Sequence, residues 1–173
     1  IYRNAWVSEN FGFEQGFDLY MKPAPNFDVK RFENRSPSSH PLKGSDVDLT
    51  QSAQEFMKTY VDERFFLYIH WLDVHNYRSD YGESVRHFDT ALGWMLDILE
   101  AEGLLENSWI LLTSDHGESL GEMSPLGPRR LHKGNPSFER ELRVPLIAVP
   151  PIFPSDSKIV RTQDVSRLLL EAL

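Results

Sequence analysis

An α/β fold is what the sequence predicts, and three observations predict it. The run 65–69 is aromatic and β-branched with no polar alternation, the pattern of a strand buried on both faces of a parallel sheet, and 109–112 and 144–149 give a second and a third such strand. Segments with a helical repeat of apolar residues lie before, between and after these runs. Two of the three runs open into clusters of Asp and His, and in open α/β sheets the sites lie at the carboxyl ends of the strands.

Each element follows in order. Residues 22–47 hold Pro23, Pro25, Pro37 and Pro41 among Ser36, Ser38, Ser39 and Gly44, which predicts a surface loop linking two structured parts. Asp48 is placed as an N-cap with Gln51 three residues on, and Leu49, Ala53, Phe56 and Tyr60 keep helical spacing, so a helix is expected from about 49 to 63. After the first strand, Val85, Phe88, Leu92, Met95, Leu96 and Leu99 predict the longest helix, from Tyr81 to a stop at Gly103. The second strand, Trp109 to Leu112, runs into Thr113, Ser114, Asp115, His116, Gly117 and Glu118. The third covers Val144 to Val149, and a last helix starts near Gln163. This order points to a sheet with right-handed crossovers.

Composition bounds the function. The 173 residues suit one ordinary domain or a large piece of a bigger one. A hydrophobic fraction of 40% with 11 Phe, 6 Tyr and 4 Trp supplies a core, which argues against disorder. A net charge of −8 without a basic block argues against nucleic acid as a partner. There is no cysteine, which excludes disulfides, thiolate metal sites and a cysteine nucleophile within these residues. The longest apolar stretch, Phe65 to Leu72, falls far short of the roughly 20 residues that span a bilayer. Ile1 stands where Met would, and Leu168 to Leu173 stop without Gly or a cationic last turn, so both ends are expected to be cut from a longer chain.

The chemistry-bearing candidates sit at the strand ends. Asp115 and His116 are adjacent where the chain leaves regular pairing, and both side chains can turn toward one ion, with Gly117 easing the turn. On the residues alone they are equally half of a metal site or a cap beside a polar loop residue. His70 and Asp73 read as structural, one ending a strand and the other capping a turn, whereas His75 lies in a polar loop at the mouth of the sheet. His132, Lys133 and Gly134 occupy a long loop between Gly127 and Pro136, where a lysine suits an anionic group or is simply solvated.

Four stretches together resemble the sulfatases of the alkaline phosphatase superfamily. Thr113-Ser114-Asp115-His116-Gly117-Glu118, preceded by an apolar strand and Gly-Leu-Leu-Glu-Asn at 103–107, is similar to the family's metal-binding segment. Phe65 to Asn76, with Asp73-Val74-His75, resembles the segment whose histidine contacts the sulfate. Lys133-Gly134 followed by Glu141 to Leu146, and Asn10 to Tyr20 with Gly16-Phe17-Asp18, match further family segments. The matches are in the right order and span nearly the whole chain.

The resemblance implies an alkaline-phosphatase-like sheet with helices on both faces, present as part of a single catalytic domain over 1–173. It implies metal-dependent hydrolysis of sulfate monoesters, on a small molecule or a glycan. Asp115 and His116 would be metal ligands to one divalent cation, calcium first, with Mn, Mg or Zn as alternatives. His75 and Lys133 would hold the sulfate oxygens and stabilise the leaving oxygen. The remaining ligands and a formylglycine nucleophile, made from Cys or Ser in a Cys-x-Pro-x-Arg or Ser-x-Pro-x-Arg segment, would come from upstream, since no such segment exists here. Three departures from the family pattern matter: Val74 replaces the usual Pro, Arg78 follows Tyr77 where a Pro is often near, and His116 stands where many sulfatases have Asn. Asp-His-Gly is shared with phosphonate monoester hydrolases and phosphoethanolamine transferases, which keeps those activities, and a non-catalytic binding protein of the same fold, as alternatives.

Overall fold

A computed structural model describes residues 1–23, 46–75, 80–124, 127–130, 139–153 and 159–172. The proline-bearing stretch expected at 22–47 lies almost wholly outside them. The chain divides into two compact units, Ile1–Asn107 and Ser108–Leu173.

The first unit is built on two helices packed together. Helix α1 spans Asp46–Thr59, and its buried residues Leu49, Ala53 and Met57 recur every four positions. It starts before the expected position. Asp48 is therefore inside the first turn rather than capping it, and it is buried in an ion pair with Arg3 at 3.0 Å. Helix α2, Tyr81–Ala101, agrees closely with its predicted span and buries Ala91, Met95 and Leu99 on the same repeat. The Asp80 carboxylate caps it by accepting from Glu83 N at 3.1 Å. At its end Gly103 takes φ 68°, and Leu104 N donates back to Leu99 O at 2.8 Å, closing off carbonyls that the helix leaves open.

The segment 65–69 is extended but not a regular strand, and its two faces differ. Phe66 and Tyr68 are exposed while Phe65, Leu67 and Ile69 are half-buried. The expectation of burial on both faces is corrected here: Phe65 meets the edge of the Phe56 ring at 5.2 Å, whereas on the other face Phe66 meets Phe17 at 6.1 Å and stays largely open to solvent. Ile1 N donates to Tyr68 O at 2.7 Å and His70 N donates to Ile1 O at 3.0 Å. These two bonds straddle Ile69 in the manner of a parallel pair, but a single straddled residue makes no ladder.

Among the described residues the second unit holds two small sheets. Strand β1, Ile110–Thr113, pairs with β4, Leu146–Val149, so that Thr113 faces Leu146 and Ile110 faces Val149. The pairing is antiparallel, which corrects the expected parallel order. A parallel pair needs a crossover returning the chain to the start of β1; the connection instead enters β4 at the end where β1 finished. Between them lies an unexpected hairpin, β2 Leu120–Ser124 with β3 Gly127–Arg130, whose register is irregular between Leu120 and Met123 where Gly121 takes φ 106°. The stretch expected to be loop from Gly127 therefore begins as strand. A one-turn helix, α3, covers Glu139–Leu142, and α4, Val165–Ala172, follows a 3-10 turn at Thr162–Asp164, close to its predicted start. Ile147 and Val149 of β4 are exposed, since a two-stranded sheet has too little area to bury both its faces. The result is a mixture of helices and small antiparallel sheets, compatible with the α/β class.

Leu49 is fully buried, so Leu49→Ala is expected to lower unfolding stability by about 2–5 kcal/mol in chemical denaturation, whereas Tyr60→Ala, at an exposed position past the end of α1, should cost far less.

Candidate functional site

The chain leaves β1 at Thr113 and must find new partners for its backbone groups. Much of that demand is met locally. Ser114 Oγ donates to His116 O at 2.8 Å, and His116 N donates to Asp115 Oδ1 at 3.0 Å. These bonds hold the chain through a bend at Asp115, which leaves the Asp115 side chain exposed and the His116 side chain half-buried. The Asp115 carboxylate is strongly exposed, the His116 ring is about one third exposed, and Asp115 Oδ2 lies 3.8 Å from His116 Nε2.

The other ring nitrogen is already engaged. His116 Nδ1 is 2.8 Å from Gly117 O, and with the proton on Nδ1 this is a hydrogen bond that leaves the Nε2 lone pair on the side of the carboxylate. A carbonyl holding the far nitrogen is how metal-ligating histidines are commonly oriented. One hard oxygen donor and one imidazole donor, side by side, suit a divalent cation. Among the described residues no group of three or more potential ligands converges, and these two side chains stand as potential ligands only.

Gly117 has a different role from the one its sequence position suggests. A Cβ at this position would lie 1.9 Å from Arg140 O and 3.1 Å from Arg143 O, so the constraint is close approach rather than turn conformation. Gly117 N donates to Glu141 O at 2.8 Å, and Ser119 Oγ donates to Glu141 Oε1 at 2.8 Å, with Ser119 and Glu141 both buried. Backbone and side chain of one glutamate thus pin the stretch after the donor pair to α3, just ahead of β4. The sequence carries a hint of this in the glycine after Asp-His, but nothing local names Glu141 as its partner.

In the first unit, His75 ends a turn at 73–75 and is exposed. The turn is anchored by two aspartates that exchange backbone partners. Asp46 Oδ1 accepts from Leu72 N at 2.7 Å and Asp46 Oδ2 from Asp73 N at 2.9 Å, while Asp73 Oδ2 accepts from Asp46 N at 3.0 Å. Asp73 thus caps the start of α1, in keeping with a structural reading of that residue. Burial first, and then the neighbouring Asp73 carboxylate, push Asp46 up to about 7, against the lowering effect of the Leu72 and Asp73 N–H groups and Arg3. Burial likewise raises Asp73, with Arg3 and His87 pulling the other way. Asp46 is the residue that the sequence did not flag: an acid at a helix start normally caps its own helix, and only the fold reveals that its oxygens serve residues 26 and 27 positions away. Lys133, with His132 and Gly134, lies outside the described residues.

The comparisons agree on one family. The sequence pattern of the family described as Sulfatase matches residues 2–168. Similar proteins include a steryl-sulfatase of Rattus norvegicus, 28% identical over 149 residues that cover 75% of this chain and 26% of that protein. A steryl-sulfatase of Homo sapiens is 26% identical over 83% of the chain and 28% of its own length, and a sulfatase of Formosa agariphila is 32% identical over 54% of the chain and 18% of its own. The chain thus spans between 18% and 28% of the length of these relatives. No solved structure matches it.

The raised Asp46 sets a pH dependence. A carboxyl that is harder to ionise folded than unfolded contributes its stability in full below the ordinary carboxylate range, and loses it as pH rises through about 7. Asp46→Asn is expected to flatten that decline between pH 4 and pH 8 in denaturant titrations; an unchanged slope would assign it to other groups.

Proposed function

The chain belongs to the sulfatase family, and on that premise we propose that it is part of a catalytic domain that hydrolyses sulfate monoesters, on a small molecule or a glycan. Both units belong to that one domain, and its sheet is of the alkaline-phosphatase type with helices on both faces. The observation that carries the reading is the family match over 2–168, which takes in the His75, Asp115–His116 and Lys133 segments in chain order. Names of the similar proteins, steryl-sulfatase and N-acetylgalactosamine-6-sulfatase, bracket a sterol and an amino-sugar ester as the substrates to try first.

Sulfate ester cleavage requires positive charge against the non-bridging oxygens and against the charge that builds on the leaving oxygen. Asp115 and His116 would hold one divalent cation, calcium first, with Mn, Mg or Zn compatible with the imidazole donor. When bound, that cation supplies Lewis-acid charge to the ester oxygens. Lys133 brings an ammonium to the sulfate oxygens as a compact charge. His75 donates a hydrogen bond to the same group, and in its protonated form it offers a proton to the leaving oxygen. The exposed placement of the Asp115 carboxylate and His75 ring supports access by a ligand from solvent. The sequence holds no cysteine and no Ser-x-Pro-x-Arg segment, so a formylglycine of that origin is not among these residues.

In the full-length protein, Asp115→Ala and Lys133→Ala are each expected to reduce turnover of an aryl sulfate about a hundredfold or more. Aryl phosphate and aryl phosphonate run in parallel separate this activity from its superfamily neighbours, and unchanged kinetics in both variants would reject the site.

A further inference from the structure

An acid in the first turn of a helix ordinarily turns its carboxylate onto the N–H groups of its own helix. Asp46 does the opposite. Both of its oxygens are taken by Leu72 N and Asp73 N at 2.7 and 2.9 Å, and its own N–H is served by Asp73 at 3.0 Å. The three bonds tie the first residue of α1 to two consecutive backbone positions, and the exchange is reciprocal, so the turn cannot slide along the helix start without breaking more than one bond. Asp46 is only 2% exposed, and it lies near the ion pair of Arg3 and Asp48.

Burying a carboxylate merely to hold a loop is costly when an apolar contact would serve. The expense is understandable if what must be fixed is direction. The residues clipped are 72 and 73, and the side chain that follows them in the same turn is His75. We propose that Asp46 is a positioning residue for His75, fixing through the Leu72 and Asp73 N–H groups the turn from which the histidine reaches the sulfate. This deepens the sulfatase reading and rests on it.

The test is a double-mutant cycle in the full-length protein with an aryl sulfate as probe. His75→Ala is expected to lower kcat/KM about a hundredfold. Asp46→Ala should lower it about tenfold to a hundredfold in a protein that still unfolds cooperatively, since small misplacements of a reacting group have costs of that order. On the His75→Ala background the same Asp46→Ala change should cost less than about twofold, because nothing remains to be aimed. Asp46→Asn keeps one acceptor but turns an amide N–H2 toward one of the two backbone donors, and should give a smaller loss that also vanishes without His75. If Asp46→Ala does not fold, the cycle with Asp46→Asn decides. A loss that persists undiminished in the double variant, or no loss in a folded single variant, would overturn the positioning role alone. Full activity in His75→Ala would overturn the role of His75 and the positioning role with it, while Asp115→Ala still reports on the sulfatase reading separately.

Discussion

Backbone N–H groups that leave an extended segment need acceptors, and in both units a helix supplies them within or just after the stretch that carries a candidate residue. Gly117 N is taken by the Glu141 carbonyl of α3, and Leu72 N and Asp73 N by the Asp46 carboxylate of α1. The two solutions differ in kind. In the second unit the helix backbone itself comes so near that only glycine fits, and a buried Ser119–Glu141 bond secures the approach. In the first the contact is made by side chains at hydrogen-bond length, with charge, burial and a second carboxylate all concentrated at the helix start. Each arrangement leaves the candidate side chain facing outward while its backbone is held.

Such anchoring matters for the kind of chemistry the family performs. Charge stabilisation depends on groups that are already aimed before the reaction begins, because reorganising them during it forfeits the advantage. The bend at 114–116 meets part of its own backbone demand through Ser114 and the Asp115 carboxylate, and the imidazole of His116 lies against the Gly117 carbonyl. Asp115 and His116 are therefore held in part by bonds within their own short segment of chain.

How much of this the sequence shows depends on how local the cause is. Helix α2 is legible from end to end, because its apolar repeat, the Asp80 cap and the Gly103 stop are all local. The Thr113–Glu118 segment is legible as a strand end for the same reason. The faces of 65–69 are not, since an apolar run does not say how many of its sides are covered, and the structure leaves Phe66 and Tyr68 exposed. The direction of β4 relative to β1 depends on where a 32-residue connection ends, which no window of sequence encodes. Asp48 looks like a cap because it stands near the expected start, yet its partner is Arg3, 45 residues away, and the pairing of Asp46 with Asp73 is hidden in the same way. Lys133, read from its motif, lies outside the described residues.

Gly117 adds a consequence for how this region would look in a saturation screen of substitutions. Every larger residue at that position collides with the Arg140 carbonyl, so variants there would be depleted through loss of folded protein. Changes at the exposed Asp115 carboxylate, whose bond to His116 N is local and meets no such collision, would deplete folded protein far less. Scored for abundance, these two nearby positions would separate, and the same comparison carried along the chain would pick out the residues that hold the loop.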